Sequence, residues 1–183
     1  AVKLAIATLT KNDVAARLWR KDPTLWKPNV VGAQTEIARR LAWLDAPTTP
    51  PGDVVAFANE VRADGLTHAL LCGAGATVLA PAMLRRALGV GKNGLDLAGL
   101  DAVDPAAVRA ASDRSAPART IYVLSSPSGS TADVDALFRV LWNDVRAAVG
   151  DHAGRHFVAI TPPGSALERL AREHGFSRVF LDP

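Results

Sequence analysis

The sequence predicts an α/β protein in which a five-stranded parallel sheet lies between two layers of helices. From residue 53 onwards, helix-like and strand-like segments alternate along the chain. The strand segments at 69–72, 121–124 and 157–160 are almost wholly apolar, as expected for strands covered on both faces. Each strand segment is separated from the next by a helical one, which parallel pairing requires. The expected architecture is a three-layer, doubly wound domain.

Local patterns set the bounds of each element in this domain. The predicted strands cover 67–72, 95–101, 120–124, 156–160 and 178–181, and the predicted helices cover 53–64, 78–88, a segment from Pro105, 131–149 and 165–174. Asp104-Pro105 is a typical helix start, because an acidic cap precedes a proline in the first turn. In sheets of this kind, ligands bind at the carboxyl ends of the strands.

Residues 1–50 are predicted to form a helical N-terminal arm or linker. Short helices are expected over 14–19, capped by Asn12 or Asp13, and over 36–44, where apolar residues recur at helical spacing. The run 48–52 contains two prolines and a glycine and should end this arm. The predicted domain therefore covers residues 51–183.

Composition narrows the class of protein. With 183 residues, of which 49% are hydrophobic and 21% charged, the chain suits one compact domain. No apolar run approaches the roughly 20 residues of a membrane span. The single cysteine excludes a disulfide framework and a cysteine-built zinc site. The formal net charge of +3 comes from the first 45 residues, so the body does not resemble a basic nucleic-acid binder.

The ends of the chain lead to two expectations. The sequence begins at Ala1 and has no signal-peptide pattern, so we expect a cytoplasmic location. The absence of an initiator methionine suggests a segment excised from a longer protein. No metal or organic cofactor is expected.

Two loops carry the residues with the clearest chemistry. The loop after the third strand, 125–131, holds five hydroxyls and a glycine and leads directly into a helix. Such a loop can bind a phosphate through hydroxyls and helix-start amides, or it can be an ordinary capped helix start with Ser130 and Asp133 as a capping box. The loop after the first strand carries Gly73 and Gly75. Its glycines leave a dinucleotide site open as an alternative, although the G-x-G-x-x-G pattern is incomplete.

Other titratable residues are expected to be structural. Cys72 should be a buried small side chain, and the four histidines are scattered over the predicted strand starts, a turn and a helix end. Glu168 and Glu173 are five positions apart on one helix, so they are expected to be surface acids.

Several segments resemble one enzyme family. The run 73–81 is similar to the G-x-G-G-S-S-L-A-P loop of phosphoglucose isomerases, 125–131 to their S-S-K-S-G-T-T loop, and 100–105 to their L-D-S-T-D-P segment. The segments 17–27 and 36–45 resemble one subgroup in particular, the bacterial bifunctional transaldolase/phosphoglucose isomerases, in which such a stretch joins the transaldolase half to the isomerase half. The segments 156–161 and 167–176 continue the match, so the chain is most similar to the isomerase part of these proteins. The resemblance implies a sugar isomerase (SIS) domain with a flavodoxin-like fold that binds sugar phosphates.

The resemblance also implies a set of phosphate-binding residues. Ser126, Ser128 and Thr131 would be hydroxyl ligands, Gly75 and Gly129 would allow close backbone approach, and Thr77 stands where the family has serine. Ser130 replaces a family threonine, which is a mild change. Two departures weaken the site. Pro127 replaces the family lysine and so removes a cation and an amide donor, and Ala76 replaces a glycine.

These residues support three functional hypotheses. In the first, the chain is the phosphosugar-binding N-terminal part of a glucose-6-phosphate isomerase. That enzyme interconverts glucose 6-phosphate and fructose 6-phosphate in glycolysis and gluconeogenesis through an enediolate. None of the 183 residues can be nominated as its catalytic base, so the chain alone should be inactive. The second hypothesis is a degenerate SIS domain acting as a sensor or subunit-contact module. The third, less favoured, is a dinucleotide-binding domain.

The expected partners follow from the first hypothesis. They are a sugar phosphate, a second copy in a homodimer, and a transaldolase domain in the same polypeptide. Neither nucleic acid nor a membrane is expected as a partner.

Overall fold

The computed structural model describes residues 2–41, 43–45 and 53–181. The chain divides into two compact units, the first formed by the described residues up to 45 and the second by residues 53–181. The predicted domain boundary at residues 50 and 51 lies outside the described residues.

The first unit is helical. It contains α1 (Val2–Lys11), α2 (Val14–Trp19) and α3 (Val31–Arg40), with short 3₁₀ turns at Pro23–Leu25 and at residues 43–45. The prediction of a helix over 14–19 is confirmed. The helix predicted over 36–44 instead begins at Val31 and ends at Arg40, so its apolar spacing marked only its second half.

A hydrogen-bonded turn joins α2 to the segment that follows it. Arg17 donates from Nε to Asp22 Oδ2 at 2.7 Å and from Nη2 to Thr24 Oγ1 at 2.8 Å. Asp22 also accepts from the Thr24 amide at 2.9 Å. The hydrogen bonds from Thr24 and Arg17 stabilise the carboxylate and lower the pKa of Asp22 to about 2.

The second unit contains the predicted five-stranded sheet. Its strands are β1 (His68–Cys72), β2 (Asp96–Leu100), β3 (Thr120–Ser125), β4 (Phe157–Thr161) and β5 (Arg178–Leu181). They pair in the order β2-β1-β3-β4-β5, and every pair is parallel. The predicted fold class is confirmed. This order is the flavodoxin-like one and differs from that of dinucleotide-binding domains, and its direction reverses between β1 and β3.

Helices cover both faces of the sheet. They are α4 (Val54–Ala63), α5 (Ala76–Leu88), α6 (Pro105–Ser112), α7 (Ala132–Val149) and α8 (Ala166–Glu173). On one face, α4 packs against β1, β3 and β4 through a cluster that includes Val61 and Ile121, while Val78 of α5 lies over Gly99 of β2. On the other face, α6, α7 and α8 pack against a larger cluster centred on Leu124 and Phe157.

The longest helix contributes most to this larger cluster. Five side chains of α7 are buried at helical spacing: Val134, Leu137, Phe138, Leu141 and Val145. Phe157 of β4 stacks on Tyr122 of β3 with 5.1 Å between ring centroids and meets Phe138 edge-on at 5.5 Å. The start of α7 is therefore fixed against the middle of the sheet.

Among the residues that the structure describes, no helix combines the length and the hydropathy needed to cross a bilayer.

The packing of α7 gives a stability prediction. Val145 is fully buried, whereas Val140 on the same helix is 48% exposed. We expect Val145→Ala to lower the free energy of unfolding by about 2 kcal/mol, because it opens a cavity in the core. The matched variant Val140→Ala should cost less than about 0.5 kcal/mol. Urea unfolding followed by circular dichroism measures both values, and equal losses would contradict the described orientation of α7.

Candidate functional site

The candidate site is the loop after β3, residues 126–131, which we call the hydroxyl loop. Ser126 is buried, and its hydroxyl lies 2.8 Å from that of Thr131. The Ser128 hydroxyl lies 3.4 Å from that of Ser126 and 3.3 Å from that of Thr131. The three hydroxyls predicted as phosphate ligands are thus brought together in one cluster at the start of α7.

A tight turn presents this cluster. The Gly129 amide donates to the Ser126 carbonyl at 3.0 Å, and Gly129 has a φ of 66°. Its conformation and its surroundings both require glycine, because an added Cβ would lie 2.2 Å from the Cβ of Ser165. The backbone of Gly129 is buried, and Ser130 beside it is exposed.

The alternative explanation of this loop, a capping box, is wrong. Helix α7 begins at Ala132 after Thr131, and no side-chain oxygen caps it there. Instead of Ser130 bonding an α7 amide, the Ser128 hydroxyl accepts from the Ser130 amide at 3.3 Å. The hydroxyl of Thr131 bonds to Ser126. The positive end of α7 is therefore not occupied by the capping contact that the sequence suggested.

The loop after β1 lies directly beside the hydroxyl loop. Strands β1 and β3 pair with Cys72 opposite Leu124, so Gly73 and Ser125 come next to each other at the same edge. A Cβ on Gly73 would lie 3.2 Å from the Ser125 carbonyl and 2.8 Å from a methyl of Thr77. Both loops predicted to bind phosphate therefore meet at the point where the strand order reverses.

Gly75, Ala76 and Thr77 form the entry to α5. Gly75 has a φ of 55°, and a Cβ there would meet nothing within 4 Å. The helix begins at Ala76, and the Thr77 amide donates to the Ala74 carbonyl at 3.3 Å. Gly75 and Ala76 are exposed and Thr77 is half-buried. They follow β1, whose carboxyl end lies beside that of β3, from which the hydroxyl loop leaves.

The charged residues that follow the hydroxyl loop directly in the sequence are acidic. Asp133 and Asp135 stand in the first turns of α7, and Asp135 accepts from Arg139 at 2.8 Å. Within residues 53–181, no hydrogen bond or ion pair joins a lysine or arginine to the hydroxyl loop. Acids at a helix start satisfy its dipole but repel an incoming anion. The hydroxyl cluster therefore has no hydrogen-bonded cation among the residues 53–181.

A cavity of about 280 Å³ opens between α7 and α8 beside the hydroxyl loop. Its polar lining comes from Ser126, Gly129, Ser130 and Thr131 and from the acidic Asp135. Val134, Phe138, Ala166, Leu167 and Leu170 form its apolar wall.

The structure adds two residues that the sequence did not single out, Thr161 and Ser165, and it gives Glu168 a place that the sequence did not predict. The Thr161 hydroxyl donates to the Ser126 carbonyl at 3.3 Å and lies 2.9 Å from the Ser165 hydroxyl. Ser165 accepts from the Glu168 amide at 3.0 Å and so caps α8. The spacing Ser165-x-x-Glu168 fits a capping box and is the pattern that could have revealed this contact.

Glu168 is buried, so its predicted place on the surface is wrong. One of its carboxylate oxygens accepts from Arg172 at 2.6 Å and the other from the Gly164 amide at 2.6 Å. The hydrogen bonds from Arg172 and from Gly164 lower the pKa of Glu168. The carboxylate is therefore a structural group that fixes the loop between β4 and α8.

The remaining titratable candidates have ordinary structural contacts. His156 Nδ1 lies 3.0 Å from the Thr120 carbonyl, and His174 meets the ring of Trp142 edge-on. Cys72 is fully buried, as predicted, and burial raises its pKa to about 12. No group of three metal-ligating side chains occurs in the part of the chain that the structure describes.

Comparison with known proteins supports the assignment of the fold. No protein-family model matches the chain. The chain is 32% identical over 135 residues to glucose-6-phosphate isomerase from Rubrobacter xylanophilus, an alignment that covers 69% of this chain and 31% of that protein. The chain thus spans about a third of the length of this curated relative.

Two solved structures share the architecture. A hypothetical protein from Thermus thermophilus superimposes with a TM-score of 0.68 at 24% identity, over 99% of this chain and 41% of that one. Glucose-6-phosphate isomerase from Chlamydia trachomatis superimposes with a TM-score of 0.60 at 18% identity, over 90% of this chain and 30% of that one. The chain has the fold of part of a glucose-6-phosphate isomerase. At these identities, the structural likeness establishes the fold and not the activity.

The burial of Cys72 predicts an inert thiol beside the candidate site. Because its pKa is raised to about 12, the thiol is neutral at pH 8, and it is also inaccessible in the native state. We expect no reaction of native protein with a thiol-specific disulfide reagent at pH 8. In denaturant, the same reagent should titrate one thiol per chain, which serves as the control. Rapid native labelling would contradict the described packing of β1.

Proposed function

We propose that this chain is a phosphosugar-binding SIS domain and forms part of a glucose-6-phosphate isomerase. The observation that carries the proposal is the cluster of three hydroxyls at the uncapped start of α7, beside β1. Its position at the reversal of strand order is where doubly wound sheets bind ligands. The curated relative supports the choice of ligand, because its name is that of an enzyme acting on a sugar phosphate.

In this proposal, Ser126, Ser128 and Thr131 donate their hydroxyl protons to phosphate oxygens. Without a ligand, the three hydroxyls satisfy one another at 2.8 to 3.4 Å. An anion would exchange these neutral hydrogen bonds for charge-assisted ones, which are stronger. Gly75, Gly129 and the α7 amides would approach the phosphate from the backbone, and Thr77 and Ser130 would contact it from the rim.

We expect binding to be weak. Pro127 has neither an amide proton nor a charge, and Ala76 places a Cβ where α5 begins. Asp133 adds an exposed negative charge to the first turn of α7. The site therefore relies on hydroxyls and helix dipoles alone.

The proposal assigns binding, and not catalysis, to these residues. Interconversion of glucose 6-phosphate and fructose 6-phosphate needs a base that removes a proton next to the carbonyl group. No acid, histidine or lysine lies within the hydroxyl cluster, so we place that base in another part of the full-length protein. A homodimer, a transaldolase domain in the same polypeptide and a cytoplasmic location complete the proposal.

A second candidate function is a degenerate SIS domain that acts as a sensor or subunit-contact module. The observation that favours it is the absence of a cation from the contacts of the hydroxyl loop within residues 53–181. In that case, the fold would be retained and phosphate binding lost.

Titration with fructose 6-phosphate distinguishes these candidates. Isothermal titration calorimetry should show saturable binding with a dissociation constant in the millimolar range, about 4 kcal/mol of binding free energy. Ser126→Ala should weaken binding severalfold, because it removes the central hydroxyl of the cluster. Ser177→Ala is the matched control, since its hydroxyl bonds the Phe157 carbonyl at the opposite edge of the sheet. Absence of saturable binding at millimolar ligand would favour the sensor or contact function.

A variant that should strengthen binding tests the same site. Pro127→Lys combined with Ala76→Gly should strengthen binding about tenfold, because it adds a charge-assisted contact and removes a Cβ. The gain should fall as salt rises, because screening weakens an exposed ion pair. Unphosphorylated fructose is the control ligand and should not bind more tightly. An unchanged affinity for fructose 6-phosphate would contradict the assignment of the phosphate to this loop.

A further inference from the structure

We propose that Thr161 is a positioning residue that holds the hydroxyl loop in its anion-binding shape. Thr161 lies at the end of β4 and is 1% exposed, so it contacts the loop from the buried side. The inference rests on the proposed function of the hydroxyl loop and extends it to a chain of contacts that begins in α8.

Counting protons fixes the direction of this chain of contacts. A threonine or serine hydroxyl has one proton to donate. Thr161 donates its proton to the Ser126 carbonyl at 3.3 Å. In the 2.9 Å contact between Thr161 and Ser165, the donor must therefore be Ser165. The Ser165 oxygen in turn accepts from the Glu168 amide at 3.0 Å. The donor and the acceptor of each hydrogen bond in this chain of contacts are thereby assigned.

The chain ends on the carbonyl that forms the tight turn. The Ser126 carbonyl accepts from the Gly129 amide at 3.0 Å and from Thr161 at 3.3 Å, so both of its lone pairs are used. This carbonyl belongs to the residue whose hydroxyl bonds Thr131. Fixing the carbonyl restricts the backbone of Ser126, from which its side chain enters the cluster.

Further contacts join the hydroxyl loop to the segment between β4 and α8. The Leu167 amide donates to the Gly129 carbonyl at 3.0 Å, and Gly129 packs against Ser165. The Glu168 carboxylate holds the Gly164 amide at 2.6 Å. Within this arrangement, Thr161 is the only described side chain that donates to a backbone oxygen of the hydroxyl loop.

Thr161 is a positioning residue and not a ligand. Its hydroxyl proton goes to Ser126 and its oxygen accepts from Ser165, so no proton remains for a phosphate. Its effect on binding must pass through the conformation of the loop. That distinction makes the role measurable separately from the stability of the fold.

The test uses Thr161→Val, which keeps the shape of the side chain and removes its hydroxyl. Calorimetry with fructose 6-phosphate should show affinity about fivefold lower than that of the unmodified chain, the effect of one hydrogen bond. Amide exchange measured by NMR without ligand should be several times faster at Gly129, whose acceptor is the Ser126 carbonyl. Thr161→Ser keeps the hydroxyl and should restore both values.

Thr120→Val is the matched control. Thr120 is also a buried strand threonine whose hydroxyl donates to a backbone carbonyl, that of Ala116 at 3.0 Å, but it lies at the amino end of the sheet. Thr120→Val should lower the free energy of unfolding in urea by a similar amount. It should change neither the affinity for fructose 6-phosphate nor the amide exchange rate of Gly129. If Thr161→Val leaves both readouts unchanged, or if Thr120→Val changes them equally, the inference is overturned.

The two readouts separate this inference from the proposed function. If the unmodified chain does not bind fructose 6-phosphate, the proposed function fails, and the exchange of Gly129 in Thr161→Val still decides the positioning role. If the chain binds normally and Thr161→Val binds equally well, the proposed function survives and the positioning role is lost.

Discussion

Parallel pairing is the constraint on which the site depends. Each strand must return to the same edge through a covering helix, so every strand ends at one side of the sheet. In the order β2-β1-β3-β4-β5, the connection after β1 leads to one side of the sheet and the connection after β3 leads to the other. A gap is therefore left between these two connections at the carboxyl ends of β1 and β3. Two helices begin at that gap, and their amino termini converge there without any special feature of the side chains.

Neutral hydrogen bonds, and not charges, shape the loop at this gap. The hydroxyls of Ser126, Ser128 and Thr131 bond one another, and Thr161 bonds the backbone behind them. Such a network is pre-organised, because its geometry is set by the buried end of β4. Pre-organisation keeps a site in shape even when the electrostatic part of its affinity is weak. In the proposed phosphate site, this network would keep the loop in shape even though Pro127 stands where the resembling family has a lysine.

Local patterns sufficed for the order of the elements and for the prediction that the loops after β1 and β3 lie at the carboxyl ends of the strands. Asp104-Pro105 starts α6 as predicted, with the Asp104 carboxylate accepting from the Ala107 amide at 3.0 Å. The contact between Thr161 and Ser126 was not predictable in the same way, because it depends on how β4 meets a loop 35 residues earlier in the chain. The capping-box prediction failed for a related reason. A hydroxyl near a helix start has several possible partners, and only the folded geometry selects one.

The two loops at the gap differ in their freedom to change. Gly129 is enclosed by Ser165 and Thr161, so any side chain there would collide with α8 and its cap. Gly75 faces open space, and only its positive φ limits what replaces it. Variation in ligand preference within this architecture is therefore expected to accumulate in the loop after β1, while the hydroxyl loop and the start of α8 change only together. For protein engineering, Gly75 is an adjustable position of the proposed site, whereas Gly129 belongs to its fixed frame.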